Sequence, residues 1–550
     1  MNSRILPCWV LLFVACSCVS VRGDDKRLLR QPTISDTQVA FTYGSDLWTV
    51  DREGGRAVRI TSTSAVEQSP HFSPDGKWIA FTSNRSGVDA VYVVAAEGGS
   101  PTRLTWYPAG SIARGWTPDG EHVLYSSSRE TAPTSFHRLW TVPLQGGPST
   151  RLPAHWGFDG SFSASGKRIV VDRVSRWDTE WRHYRGGQNT PLTILNLDTL
   201  SETRIANERT TDIQPLWLGE KIYFLSDRDW VMNIWSYDPS SEQLEQLTEF
   251  TGADIKWLNG VDQTLVYERN GFLSKLDLEN KETARIKIDV VGDFPWAEKR
   301  WLSVDDSISS ASLSTTGKRA LFEARGEVFT VPVENGSPRN LTQSSGGADR
   351  SPMWSPKGDK VAWFSDDGSG YKVLIANQDG AGEVDELEIG DSKFAWEATW
   401  SPDGSHIAFV DNDVQVRLLE IETGEIRTVG SGGVNIERGS MGLTWSPDSK
   451  WLAYSKTFPN NLRRIMAWSM KQDKTLTLTD SMADSMSPTW DRDGKHLYFL
   501  ASTDVALASG WANTSTMAAD PRYGAYVMLL NDDTESPFKP ESDEEEAKDA

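Results

Sequence analysis

Hydrophobic positions along this chain come in short runs that alternate with polar residues and break at Pro, Asp, Gly or Ser. Trp78-Ile-Ala-Phe81 and His122-Val-Leu-Tyr125 are typical. A period of two between frequent turn signals predicts β-strands joined by tight hairpins. Long helical bundles do not fit such a pattern.

The runs belong to a repeated unit: an aromatic residue, then Ser/Thr-Pro-Asp-Gly-Lys, then a short apolar strand. It reads Phe72-Ser-Pro-Asp-Gly-Lys-Trp-Ile-Ala-Phe81 and Trp116-Thr-Pro-Asp-Gly-Glu-His-Val-Leu-Tyr125. Further copies start at Phe162, Leu313, Trp354, Trp400, Trp445 and Trp490, and weaker ones at Ile34, Trp217 and Trp257, which makes eleven. Pro sets φ for the turn, Asp bonds backbone amides ahead, and Gly takes the positive-φ position. A second signature follows, as in Asp46-Leu-Trp-Thr-Val-Asp51 and Arg138-Leu-Trp-Thr-Val-Pro143, and then a third ending in Arg-Ile-Thr or Arg-Leu-Thr, as at Arg59 and Arg103. Most steps between turn glycines are 41 to 46 residues. A small antiparallel sheet repeated at that period indicates a β-propeller. The aspartates are read as turn residues, because their spacing matches no calcium loop.

Between Gly260 and Gly317 the step widens to 57 residues. Six units precede the gap and five follow it. The expected organisation is all-β: a six-bladed propeller at 24–285, a linker at 286–305 and a second propeller at 306–532 with about five blades. An unfinished ring would expose blade faces and strand edges.

The two ends differ from the repeats. Arg4 precedes an apolar run from Ile5 to Val21, and Val21 and Gly23 are small. This predicts a signal peptide over 1–23, a mature start near Asp24 and export to the periplasm. An uncleaved anchor and a lipoprotein signal at Cys16 are the alternatives. Cys8, Cys16 and Cys18 all lie in this run, so the mature chain would hold no disulfide, thiolate metal site or cysteine nucleophile. At the other end, 533–550 is acidic and poor in apolar residues, and a disordered tail is expected.

Composition narrows the function classes. The chain has 550 residues, 77 acidic and 56 basic, and a net charge of −21. That argues against a general nucleic-acid binder, whose affinity rests on neutralising phosphates. There is no Gly-x-Ser-x-Gly elbow, no His-Glu-x-x-His and no phosphate-cradling glycine loop. No catalytic residue, metal ligand or cofactor is assigned. Arg176, Arg182 and Arg185 form a basic cluster suited to acidic loops or an acidic peptide end, and His183 lies near Asp178 and Glu180.

Several linked motifs resemble one family. Trp181-Arg-His-Tyr-Arg-Gly-Gly187 is similar to a segment of tricorn-type proteases. Tyr223-Phe-Leu-Ser-Asp-Arg-Asp229 followed by Asn233-Ile-Trp-Ser-Tyr-Asp238 resembles the next blade of that family's first propeller. The stretch from Gly326 to Pro356 resembles the opening of its second propeller, and Ser536 to Glu546 resembles the acidic insertion within it. The resemblance implies six- and seven-bladed propellers, then a PDZ domain and a serine-protease core. Five blades in the second ring imply a chain cut inside that propeller, with the catalytic serine, histidine and glutamate elsewhere. The family's first propeller carries two arginines that hold a peptide carboxylate. The corresponding stretch here, Thr105 to Trp116, has only Arg114, which is otherwise a solvated loop residue.

The expected function is therefore the propeller region of a tricorn-like serine protease. It would sieve peptides or unfolded polypeptide toward a separate protease core, with self-association possible and no nucleic-acid or membrane partner after signal cleavage. The alternative is a stand-alone periplasmic Tol-type propeller that binds a protein or peptide. A dipeptidyl-peptidase-like propeller is the third reading, and the two-propeller motif order argues against it.

Overall fold

The computed structural model describes residues 28–550 except 134–135, 174–184, 186–188, 190, 208, 295–301, 345–346, 367–369, 435–438, 505–521, 541–542 and 545–550. The chain divides into two compact units, 1–299 and 300–550. Each is built mainly from antiparallel sheets whose strands follow sequence order. Among the described residues, no helix is long and apolar enough to cross a membrane.

The first unit contains six four-stranded blades. Blade 1 covers 30–59, blade 2 covers 67–103, blade 3 covers 111–151, blade 4 covers 160–204, blade 5 covers 212–246 and blade 6 covers 255–285. In each, the innermost strand and its neighbour are joined by the repeated turn. In blade 2, Ser73 Oγ bonds Asp75 Oδ1 at 2.6 Å and accepts from Trp78 N at 3.0 Å, while Gly76 sits at φ +69°. Ser401–Asp403 and Ser446–Asp448 repeat the pattern, and Ser449 takes the glycine place at φ +59°. Among the weak copies, the register corrects one reading. Gly260, not Trp257, lies where the aromatic stands elsewhere, since it pairs with Leu265 as Trp217 pairs with Ile222. A Cβ at Gly260 would come within 2.6 Å of Leu265 and 2.9 Å of the Thr264 carbonyl.

A blade buries its faces only against other blades, so the core is a chain of clusters. Ile79, Phe81 and Tyr92 pack blade 2 on Ala40 and Leu47 of blade 1, and similar clusters join blades 2–3, 3–4, 4–5 and 5–6. Burial of each large side chain contributes about 1.5–3 kcal/mol. The last cluster closes the ring: Val266 and Leu273 of blade 6 meet Leu29, Val39 and Trp48 of blade 1.

Closure also has a backbone clasp. Residues Ile288–Asp289 pair in parallel with Gly55–Arg56, and Ile286, Ile288 and Val290 are buried in the closing cluster. Residues 286–290 were expected to open the linker; they belong to the first ring instead. Their alternating apolar side chains find a blade edge that would otherwise stay unpaired.

Bulges on the innermost strands supply further links between blades. Gln31, Ser69 and Gln214 each precede a proline and take φ values of +53°, +56° and +52°. Gln31 Oε1 accepts from Ser69 N at 2.8 Å, and Glu268 Oε2 accepts from Gln31 N at 3.0 Å.

Among the described residues, the second unit contains four four-stranded sheets, 308–340, 348–388, 395–431 and 444–477, and a three-stranded sheet at 484–529. Its cores run from sheet to sheet in that order. At the two outermost sheets apolar side chains face solvent, with Leu313 70% and Tyr526 52% exposed. Near the acidic end, His496 Nε2 lies 3.2 Å from the carbonyl of Glu535.

The closing core makes a direct prediction. Ile288→Ala should destabilise the first unit by about 2–5 kcal/mol, whereas exposed Leu313→Ala should change stability by less than about 0.5 kcal/mol. Denaturant unfolding of the two variants checks this.

Candidate functional site

The innermost strands of the first ring surround an axial cavity of about 500 Å³. His71, Gly115, Ser161, Leu216 and Asn259 each stand just before the motif's aromatic position, and all line it. The register that puts the aromatic between blades puts its predecessor on the axis, because successive strand residues face opposite ways. Polar axial side chains double as links. Ser161 Oγ accepts from Trp217 N at 2.9 Å, and Thr33 Oγ1 donates to Asn259 Oδ1 at 3.2 Å.

Arg114 and Asp159 share the wall at blades 3 and 4, and the buried carboxyl of Asp172 lies beside Asp159. Arg114, on the strand Ser111–Trp116, is buried, with its guanidinium 3.9 Å from the Phe158 ring centre. Its Nε donates to Ser126 Oγ at 3.2 Å, and Nη1 lies 3.6 Å from Asp159 Oδ2. Asp172 accepts from the backbone N–H of Asp159 at 2.9 Å and of Gln214 at 3.2 Å, which ties blade 4 to blade 5.

Burial governs the protonation of this group. It pushes Asp172 up to about 8, with the neighbouring Asp159 carboxyl adding to the effect. Asp159 is also raised by burial, against the opposing pull of Arg114. Burial, then the charge of Arg114, lowers His71 to about 3, so its imidazole is neutral at ordinary pH. The cavity wall thus offers the guanidinium of Arg114 and the carboxyl of Asp159, beside an Asp172 that holds a proton near neutrality. It can bind polar groups, and no nucleophile–base pair is assembled among these residues.

Comparisons with known proteins give these rings a lineage. Residues 26–282 match the family description "Tricorn protease N-terminal beta propeller domain", and residues 308–550 match "Tricorn protease second beta propeller domain". The chain belongs to the tricorn protease family. It is 30% identical to "Tricorn protease homolog 1" of Streptomyces coelicolor, over 93% of this chain and 48% of that protein. It is 23% identical to "Tricorn protease" of Thermoplasma acidophilum, over 86% of this chain and 44% of that protein. A crystal structure of the tricorn protease superposes with a TM-score of 0.57 at 21% identity, over 95% of this chain and 51% of that one. The chain spans about half the length of these tricorn relatives.

Of the arginines singled out in the sequence, Arg114 lines the cavity. It is a buried strand residue, which corrects the solvated-loop alternative. Arg185 is engaged elsewhere: Nη1 donates to Asp227 Oδ2 at 2.8 Å, and its guanidinium stacks 4.6 Å from the Trp230 ring centre. Arg182 lies outside the described residues, as do Arg176, Asp178, Glu180 and His183. The sequence reading passed over His71, Asn259, Asp159 and Asp172. For His71 and Asn259 the available signal was their place one residue before the aromatic position of the tricorn repeat.

The raised carboxyl sets a pH dependence. Asp172 keeps in the folded chain a proton that the unfolded chain releases at ordinary carboxylate pH, so its stabilisation is lost as pH rises through about 8. His71, lowered to about 3, acts oppositely, but only up to its ordinary value of 6.5. Thermal stability should therefore fall between pH 6.5 and about 8. Asp172→Asn should reduce that slope by up to about 1.4 kcal/mol per pH unit, as read from unfolding midpoints across the range.

Proposed function

We propose that this chain is the non-catalytic propeller region of a tricorn-type serine protease. In this reading the rings admit extended polypeptide, exclude folded proteins and pass peptides to a protease core outside these residues. The observation that carries it is the ordered match of both tricorn propeller families, together with an axial cavity in the first ring. The donors on the cavity wall support the same reading. An extended peptide presents carbonyl oxygens along its length, and Arg114 can donate to them. Arg114 lies 3.6 Å from Asp159, so its charge is already partly offset. It therefore suits a carbonyl better than the carboxylate gripped by paired arginines in the family. Export to the periplasm is part of this proposal, supported by the apolar run from Ile5 to Val21 behind Arg4.

The test uses the full chain with labelled unstructured peptides of about ten residues and a small folded domain carrying the same label. A ten-residue extended chain is about 33–36 Å long and narrow enough to thread a ring. Peptide binding without turnover, no binding of the folded domain, and weakening of peptide binding by Arg114→Lys are expected. Peptide hydrolysis would overturn the non-catalytic assignment. Equal binding of the folded domain would overturn sieving.

A further inference from the structure

Aromatic rings and guanidinium groups form a continuous strip across blade 3, on the side of the first ring away from the repeated turns. Three connections carry it: 104–110 into blade 3, 128–137 within it and 152–159 out of it. Trp106 is 73% exposed, Tyr107 44% and Trp156 43%. Contacts run unbroken from Tyr107 to Trp156. Arg129 stacks 4.7 Å from the Tyr107 ring centre, and Glu130, next in the chain, lies 3.6 Å from Arg151. Arg138 Nη1 donates to the Glu130 carbonyl at 3.2 Å, and its guanidinium stacks 5.1 Å from the Phe136 ring centre. Phe136 packs on Trp156 with ring centres 5.5 Å apart. None of these residues lines the axial cavity.

The strip is cationic within an acidic chain. Among the described residues, Arg103, Arg129, Arg138 and Arg151 stand along it against the carboxyl groups of Glu130 and half-buried Asp89, while the whole chain carries −21. The guanidiniums keep binding capacity. Each has five N–H donors in one plane, and stacking on a ring uses its face rather than its edge. Arg103 lies 4.3 Å from the Trp106 ring centre and gives Nε to the Thr105 carbonyl at 2.7 Å. One such bond leaves donors for a carboxylate, the acceptor that binds a guanidinium most strongly. The exposed Trp106 and Trp156 rings offer flat apolar surface for an aromatic side chain. Exposed apolar surface gathered in this way marks an interaction site.

We propose that this strip docks extended polypeptide segments in which acidic and aromatic side chains alternate. Carboxylates pair with Arg138 and Arg151, and aromatic side chains lie on Trp106 and Trp156. Charge complementarity selects this occupant. A nucleic-acid strand also combines negative charge with flat rings, but it is the poorer match. Its charge is unbroken, Glu130 stands between Arg129, Arg138 and Arg151, and the acidic chain repels it as a whole. Docking here involves no passage through the axial cavity and is independent of the sieving reading.

The test measures anisotropy of labelled dodecapeptides on the full chain, amidated so that no terminal carboxylate contributes. One alternates Glu with Phe and Gly, a second has Gln for Glu, and a third has Ala for Phe. Oligothymidylate is the fourth probe. The Glu/Phe peptide should bind about tenfold tighter than the Gln peptide at about 0.05 M salt, with the advantage shrinking at about 0.5 M. It should also bind about tenfold tighter than the Ala peptide. Arg138→Gln/Arg151→Gln should cut the advantage over the Gln peptide to about threefold or less. Trp106→Ala/Trp156→Ala should do the same to the advantage over the Ala peptide. A control, Lys167→Gln/Arg204→Gln, removes equal charge from exposed positions of blade 4 and should keep both. No acidic or aromatic preference, a preference that survives the strip variants, or equal losses in the control would overturn the proposal. Oligothymidylate binding as tightly as the Glu/Phe peptide would overturn it in favour of nucleic acid.

Discussion

Every part of the first unit depends on closing its ring. A four-stranded blade has two apolar faces and cannot cover either alone, so stability comes from stacking blades until the last meets the first. Here that meeting is made by Leu29, Trp48, Val266, Leu273, Ile286 and Ile288, and by the backbone pairing of Gly55–Arg56 with Ile288–Asp289. Closure fixes the direction of each innermost strand, and so fixes which side chains face the axis. The cavity and its donors follow from the same constraint that supplies the stability. The second unit shows the contrast, since its outermost sheets leave Leu313 and Tyr526 facing solvent.

Residues of the candidate site also hold the architecture together. Asp172 accepts two backbone amides and ties two blades, yet burial leaves it ready to hold a proton near neutral pH. Ser161 and Asn259 bond across blades and form the cavity wall at the same time. Such sharing explains how polar side chains come to lie on the axis. It also explains why Arg114 can be buried: Ser126, Phe158 and Asp159 supply a hydrogen bond, a ring face and an opposite charge.

Much of this was legible in the sequence, for identifiable reasons. The Ser-Pro-Asp-Gly turn is a local interaction, complete within a few residues, so its copies read out the blades directly. The side chains that close the ring and build the cavity depend on partners far along the chain. Thr33 meets Asn259 across 226 positions, and no local pattern announces that contact. Residues 286–290 lack the turn motif and read as a linker, although their apolar alternation is what a clasp strand needs. Arg114 was found through family resemblance, but its burial was hidden because burial comes from blade 4. The paired bulge signal, Gln or Ser before Pro at Gln31, Ser69 and Gln214, was present and went unread.

Hydrogen exchange with mass spectrometry on the full chain, with and without a saturating unstructured peptide, tests the central claim most directly. If the first ring's axis receives polypeptide, added protection will concentrate on the innermost strands, above all Ser111–Trp116, Gly160–Phe162 and Ile255–Val261. Protection restricted to outer strands of the blades, or absent from the first unit, would contradict the account.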